Sequence, residues 1–507
     1  MIFPVPEHDL QPNTLAFETR PLVKPTGFRE YDARWWFGHP ASSRPPDLNL
    51  MGVTALGLGL GTLIHERGVG PDIVTGHDYR GYSSAVKIAL TTGMMAAGCR
   101  VHDIGLAVSP MAYFAQFALD VPSVAMVTAS HNENGWTGVK LGCERPLTFG
   151  PDEMARLRDI VLEGAWQARD GGSYRMVEGM AERYMADLTD RPKLTRRLKA
   201  VVATGNGTAG AFAPDVLAAV GVEVVPLNTE LDYTFPNHNP NPEDMTMLHA
   251  VAAAVKEHGA DVGLAFDGDG DRCGVIDNEG NEIFADKVGV MLARDLAHKH
   301  ENATFVVDVK STGLYTSDPE LQRLGATTEY WKTGHSYIKR HVAKTNALVG
   351  FEKSGHYFFN APIGRGYDDA LVSALAICDM LDDAPDKSMA DLYRALPHTW
   401  GSPTMSAECP DEIKYDVVDT VRAALEAKQA AGESFGGGTI ADLVTVNGAR
   451  VLTDDGTWGL VRASSNKPEI VVVVESPASE ARMREMFAAV DSLLRQSPDV
   501  GDYNQTI

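Results

Sequence analysis

Positive charge is in short supply in this chain: 45 lysines and arginines face 68 aspartates and glutamates, a formal net charge of −23 over 507 residues. A body that acidic repels phosphate backbones and anionic lipid, which excludes nucleic acid and the membrane as partners. Cysteine is scarce as well. Cys99, Cys143, Cys273, Cys378 and Cys409 are scattered without metal-type spacing, which excludes a disulfide scaffold or a cysteine-rich zinc site and fits a reducing, cytoplasmic setting. No apolar run reaches the roughly 18 residues that cross a bilayer; Met51 to Leu63 is too short and too rich in glycine. The first twenty residues lack the basic and apolar regions of a signal peptide and are read as no leader. What remains is an ordinary globular composition, 44% apolar and 22% charged, in a chain too long for one core; three or four domains are expected.

One pattern recurs three times: a strand, a Gly or polar turn, a helix, then a second strand after Gly. The first copy runs from Pro71 through Gly105, the second from Leu198 through Asn228, the third from Ala303 through Gly334. Each predicts a βαβ unit of a mainly parallel sheet, and their spacing points to repeated domains, not a solenoid. The segment after Pro397 differs. A turn at Gly436 to Gly438, a hairpin about Asp454-Asp455-Gly456, the run Ile470 to Val474 and an amphipathic stretch from Ser479 to Arg495 predict a smaller α+β domain.

Two segments carry chemistry. Asp267-Gly-Asp-Gly-Asp-Arg272 follows the apolar run Val262 to Phe266. Glycines between the acids let the backbone turn, so Asp267, Asp269 and Asp271 converge instead of alternating across a strand. Three carboxylates that close repel one another, a penalty that a hard divalent cation such as Mg²⁺ removes. An EF-hand is excluded, because its Gly and Glu positions hold Arg272 and Asn278. The other segment, Thr128-Ala-Ser-His-Asn132 with Gly138 and Lys140, follows the apolar run Val124 to Val127. It places Ser130 at a strand end, where α/β domains bind ligands. A Ser–His hydrolase is disfavoured: the Gly-x-Ser-x-Gly elbow is absent, and adjacent residues rarely meet as nucleophile and base. Gly205-Asn-Gly-Thr-Ala-Gly210 formally matches a dinucleotide fingerprint. It leaves the aspartate triplet and the Ser130 loop unexplained, and is read as a strand-to-helix turn.

Together these two segments resemble the α-D-phosphohexomutase superfamily, within it the bacterial phosphomannomutase/phosphoglucomutase group. Further motifs in the same order extend the resemblance: Phe28-Arg-Glu-Tyr-Asp-Ala-Arg34, Gly76-His-Asp-Tyr-Arg80, Trp331-Lys-Thr-Gly-His335, Gly350-Phe-Glu-Lys-Ser-Gly-His356 and Arg462-Ala-Ser-Ser-Asn-Lys-Pro468. The resemblance implies an α/β fold of four domains around a central cleft, three related α/β domains and a smaller C-terminal α+β domain; the chain's own pattern puts their bounds at 1–178, 179–283, 284–397 and 398–507. It implies a phosphorylated Ser130 that, with Asp267, Asp269 and Asp271, holds Mg²⁺. The activity implied is interconversion of hexose 6-phosphate and hexose 1-phosphate, mannose or glucose, through a hexose 1,6-bisphosphate. Lys140 or His131 would handle the hydroxyl proton, and Arg34 and Arg272 would stand by the transferring group. Arg80, Lys332, His335, Glu352, Ser354 and His356 would contact the sugar phosphate. Arg462, Ser464 and Asn466 would hold the non-transferring phosphate. A phosphoglucosamine mutase is the nearest alternative, disfavoured because that branch usually has Gln where Lys353 stands. A non-catalytic sugar-phosphate-binding protein is the alternative from another class, disfavoured because Ser130 and all three aspartates are intact. A small phosphosugar is thus the expected partner, and the protein a monomer or homodimer.

Some positions depart from the family pattern. Trp35 replaces a glycine, Ser465 and Asn466 replace the usual Asn/Gly and Thr, Lys467 stands where Glu is common, and Val471 where many relatives carry a second arginine. Lys353 and Lys467 are the residues expected to supply the missing positive charge.

Overall fold

The computed structural model describes residues 3–505 and 507. By internal packing the chain divides into two compact units, Met1–Ile283 with Gly355–Met389, and Phe284–Ser354 with Ala390–Ile507.

The first unit holds two sheets. Strands β1 (Ala33–Trp36), β2 (Asp72–His77), β3 (Arg100–Leu106), β4 (Ser123–Val127), β5 (Trp136–Gly142) and β6 (Ser173–Met176) lie in the order β1-β5-β4-β2-β3-β6. β2, β3, β4 and β6 are parallel, whereas β5 and β1 run antiparallel at one edge. β4 is buried along its whole length, as its uninterrupted apolar run requires of a strand covered on both faces. Its carboxyl end delivers Ser130. Register does the rest: Lys140 lies opposite Met126, and Arg34 opposite Gly138. The second sheet, β11-β10-β9-β7-β8, is built from β7 (Lys199–Ala203), β8 (Glu223–Leu227), β9 (Val262–Phe266), β10 (Cys273–Asp277) and β11 (Glu282–Ile283). β7, β8 and β9 are parallel, and the buried β9 ends at the aspartate loop.

The second unit begins with the parallel strands β12 (Thr304–Asp308), β13 (Thr327–Trp331) and β14 (Val349–Phe351). All three predicted βαβ units are therefore present. β15 (Tyr357–Phe359) and helix Ala370–Asp382 fall in the stretch assigned to the first unit. The C-terminal sheet is antiparallel throughout: β16 (Trp400–Gly401), β17 (Met405–Glu408), β18 (Ser434–Phe435), β19 (Gly438–Val444), β20 (Ala449–Thr453), β21 (Trp458–Ala463) and β22 (Glu469–Ser476). The valine run of β22 splits by strand alternation. Ile470, Val472 and Val474 join the core that contains residues of helices Lys414–Ala431 and Glu480–Leu494, while Val471 and Val473 pack with Val309, Trp458 and Leu460. Val471, one of the positions that depart from the expected pattern, is thus a core residue here.

Polar contacts join this sheet to residues 284–354. Arg450 lies between Tyr330 and Trp458, 4.1 and 3.6 Å from the ring centroids, and donates to the carbonyls of Val309 and Ser311 at 2.6 and 2.7 Å. Lys287 pairs with Glu475 at 2.7 Å and also bonds Thr312 and Thr399. The other carboxylate oxygen of Glu475 accepts from Thr312, the Gly313 N–H and Trp458. Burial raises the Glu475 carboxyl, but the Lys287 charge and these bonds outweigh it and bring the group down to about 2.

A carboxyl depressed in the folded protein adds stability above its unfolded pKa, and that stability is lost as pH falls toward the folded value. Glu475→Gln is expected to cost about 3 kcal/mol at pH 7. The gap between the two thermal midpoints should narrow progressively below about pH 4.3, the ordinary glutamate value. A gap constant from pH 7 to pH 3 would show that the carboxylate charge contributes nothing.

Candidate active site

Ser130 has φ +51°, a left-handed conformation that costs a non-glycine residue roughly 1–3 kcal/mol and persists only where its surroundings over-determine it. Asp78, at the end of β2, does much of that work. It accepts from the Ser83 hydroxyl at 2.5 Å, from the Thr128 hydroxyl at 2.9 Å and from Arg80. Thr128 Oγ1 in turn accepts the Ser130 N–H at 2.8 Å. Arg80 closes the loop by donating to the carbonyls of Ser130 and Asn132 at 2.8 and 2.6 Å, and Asn239 donates to the His131 carbonyl. Arg34 is paired with Asp32 at 2.9 Å and bonds Asn132 Oδ1 at 2.8 Å.

The strained turn lets neighbours in sequence meet. Ser130 Oγ lies 3.3 Å from His131 Nδ1 and 3.2 Å from Asp267 Oδ2. Adjacent residues rarely meet in this way; here they do, because the left-handed residue folds the chain back on itself.

Both glycines between the acids are required. A Cβ on Gly268 would sit 2.6 Å from the Ser130 carbonyl oxygen, and Gly270 has φ +72°. With them, ligand atoms of Asp267, Asp269 and Asp271 come within 4.8 Å of one another, fully buried. Asp267 accepts from the Asp271 and Arg272 N–H groups at 3.1 and 3.2 Å and from Arg272 Nε at 3.0 Å. Asp269 Oδ2 accepts from Lys140 at 2.7 Å and from the Ser109 hydroxyl at 2.5 Å. Lys140 also pairs with Asp271. His356 Nε2 lies 3.4 Å from Asp271 Oδ1, and a buried Asp368 falls in the same group.

The charges answer to this crowding. Burial first, then Asp271, push Asp267 up to about 7. Burial opposes the Lys140 charge, but Asp269 and Asp271 outweigh it and hold its pKa well above the usual lysine value. Asp269 Oδ1 is buried with no hydrogen-bond partner among the described residues. An oxygen-only donor set with an unclaimed buried carboxylate oxygen fits a hard divalent cation.

The second unit carries the remaining predicted residues. Glu352 is buried and accepts the Gly334 N–H at 2.5 Å. His335 is buried, Lys332 lies 5.4 Å from the Tyr337 ring centroid, and Ser354 is half-buried. Arg462 is buried and bonds Asn447 Oδ1 at 2.9 Å and Ser465 Oγ at 3.2 Å, Ser464 is buried, and Asn466 is half-buried. Lys414 braces this loop through the carbonyls of Ser464 and Lys467, at 2.6 and 2.9 Å. Lys353 does not supply the missing charge: its ammonium is paired with Asp286 at 3.2 Å and lies 5.5 Å from the Phe284 ring centroid. Lys467 is exposed.

Sequence reasoning missed Asp78, Ser109, Asn239, Lys414 and Asn447. Asp78 alone left a signal, inside the quoted Gly76 to Arg80 motif.

Four family models match in succession. They are described as phosphoglucomutase/phosphomannomutase α/β/α domains I, II and III, over residues 26–168, 182–280 and 284–400, and the C-terminal domain over 406–493. The chain is 35% identical over 432 residues to a phosphomannomutase/phosphoglucomutase of Pseudomonas putida, covering 85% of this chain and 89% of that one. It is 32% identical over 482 residues to that of Pseudomonas aeruginosa, covering 94% and 98%. A crystal structure of a phosphoglucomutase/phosphomannomutase family protein from Burkholderia thailandensis superposes with a TM-score of 0.82 at 28% identity, covering 96% of this chain and all of that one. With the serine loop, the aspartate triplet and four domain matches in one order, the chain belongs to the phosphoglucomutase/phosphomannomutase family.

Proposed function

We propose that this chain is a phosphohexomutase that interconverts hexose 1-phosphate and hexose 6-phosphate, with glucose and mannose as its sugars. The observation that carries this reading is Ser130 Oγ, held 3.2 Å from Asp267 at the rim of a buried three-carboxylate cluster with Lys140 and Arg272. A hydroxyl in that place is built to carry a phosphoryl group. Phosphoryl transfer asks for positioning and charge neutralisation more than for covalent help. Ser130, Asp267, Asp269 and Asp271 would hold Mg²⁺, which would supply charge stabilisation to the transferring group.

In the forward half-reaction the bond between phosphorus and Ser130 Oγ breaks, and a bond from phosphorus to a sugar hydroxyl oxygen forms. Arg272 and Arg34 would offset charge on the group in flight. The sugar hydroxyl proton would pass to His131 Nδ1, 3.3 Å from Ser130 Oγ, and from there to Ser130 Oγ as its bond to phosphorus breaks. Lys140 is held as an ammonium between two carboxylates, which suits a proton donor and a counter-charge. The product is a hexose 1,6-bisphosphate. It turns end for end and returns its other phosphoryl to Ser130, so the hexose bisphosphate also primes unphosphorylated enzyme.

Glu352 and Ser354 would bind the sugar hydroxyls, with Lys332, His335 and His356 nearby in sequence motif. Arg462, Ser464 and Asn466 would hold the phosphate that stays. Arg80 is assigned to the Ser130 loop instead of to substrate, because its bonds go to Asp78, Ser130 and Asn132. The five cysteines are buried and free, which suits a reducing compartment. Among the described residues no helix is long and apolar enough to cross a membrane.

With Mg²⁺ and glucose 1,6-bisphosphate, the protein should turn over glucose 1-phosphate and mannose 1-phosphate and take up phosphate, seen by intact mass. Ser130→Ala should do neither. Phosphate uptake by Ser130→Ala would place the acceptor elsewhere and end this reading.

Lys140 competes with a cation for Asp269 and Asp271, so its two effects should diverge. Lys140→Gln should lower kcat by about 10²-fold while binding Mg²⁺ several-fold more tightly in calorimetry. Asp269→Asn should weaken Mg²⁺ binding by roughly tenfold or more. Weaker Mg²⁺ binding by Lys140→Gln would show that the ammonium organises the carboxylates instead of competing for them.

A further inference from the structure

The residues assigned to sugar and phosphate recognition in the second unit sit on three separate segments, 332–335, 350–354 and 462–466. Each has to present its donors at a set distance from the others. Asn447, in the turn between β19 and β20, touches two of the three. Its Oδ1 accepts from Arg462 Nε at 2.9 Å and from the Thr333 N–H at 3.2 Å. The residue after Thr333 donates onward, from the Gly334 N–H to Glu352 at 2.5 Å. Hydrogen bonds joined by the single Thr333–Gly334 peptide link therefore connect Arg462, through one amide oxygen, to Glu352.

The turn is pressed against its target. Gly448 has φ +81°, and a Cβ there would lie 2.1 Å from the Val461 carbonyl oxygen and 2.8 Å from Arg462 Cα. Only glycine meets both demands, so the turn seats Asn447 beside Arg462. With Nε engaged by Asn447 and Nη2 by Ser465 Oγ, the guanidinium is held in one orientation. A short side chain with one acceptor between two fixed donors permits little play.

We infer that Asn447 is a positioning residue that holds the Arg462 guanidinium and the loop of Lys332 in register, setting the spacing between phosphate and sugar recognition. This rests on the mutase reading above. A hexose bisphosphate that turns end for end must meet the same phosphate-to-sugar spacing twice. Asn447 therefore acts equally on both substrates of the reversible reaction, and through binding.

The test is steady-state kinetics of Asn447→Ala and Asn447→Asp, with glucose 1-phosphate in one direction and glucose 6-phosphate in the other, beside calorimetric binding of glucose 6-phosphate. Losing a bond to a charged group should raise KM roughly tenfold in both directions, with kcat changed by less than about threefold, the signature of lost uniform binding. Asn447→Asp keeps an oxygen that accepts both bonds and should restore KM to within about threefold of the parent. An unchanged KM in Asn447→Ala, a rise in one direction only, or an Asp variant as impaired as Ala would overturn the assignment. If Asn447→Ala does not fold, Asn447→Ser, too short to reach both donors, takes its place with the same outcomes. Parent protein that turns over neither phosphosugar would remove the mutase reading itself; weaker calorimetric binding by the variant would then still uphold Asn447, and equal binding would remove it too.

Discussion

Three carboxylates buried within 4.8 Å of one another are the constraint around which the first unit is arranged. Such a cluster does not survive burial without positive charge close by. Lys140, on β5, and Arg272, immediately before β10, provide it. Counted formally, three negative charges against two positive leave one negative. A phosphoryl dianion on Ser130 entering alone would deepen that deficit. Entering with a divalent cation, it would leave the balance as it stands. The cluster is therefore suited to a cation and a phosphoryl group together, and less suited to either one alone.

Much of this was legible in the chain because the chemistry sits in short, glycine-spaced segments at strand ends. Asp267 to Arg272 needs Gly268 and Gly270 for reasons visible in any backbone: one lies against the Ser130 carbonyl, the other is left-handed. The three βαβ units follow from apolar periodicity and glycine turns, and the C-terminal hairpins from Gly436, Gly437 and Gly456. Two expectations failed for a common reason. Lys353 is expected to supply positive charge, and Ser130 and His131, as adjacent residues, are expected only rarely to meet. Both depend on what lies opposite in space, Asp286 in one case and a left-handed turn in the other.

The same limit explains how the sugar-recognition motif is divided. Gly350 to His356 is continuous in sequence, yet Glu352 and Ser354 belong to the second unit, and His356 to the first. His356 forms an antiparallel bridge with Arg272 and approaches Asp271, so it belongs with the carboxylate chemistry. Glu352 and Ser354 share a body with Arg462 and Ser464. The residues proposed for phosphoryl transfer and those proposed for substrate recognition thus fall in different units, and the boundary cuts a motif that reads as one element.

The residues that escaped the sequence are all second partners. Ser109 reaches Asp269 across 160 positions, Asn239 reaches His131 across 108, and Asn447 reaches Thr333 across 114. Each is a short polar side chain with nothing around it in sequence to mark it. Their importance comes from the groups they restrain: the loop of a left-handed serine, a carboxylate among carboxylates, and a buried arginine. A charged or nucleophilic residue can be recognised by its own chemistry. The residue that holds it has only ordinary chemistry to show, and becomes visible once the fold has brought the two together.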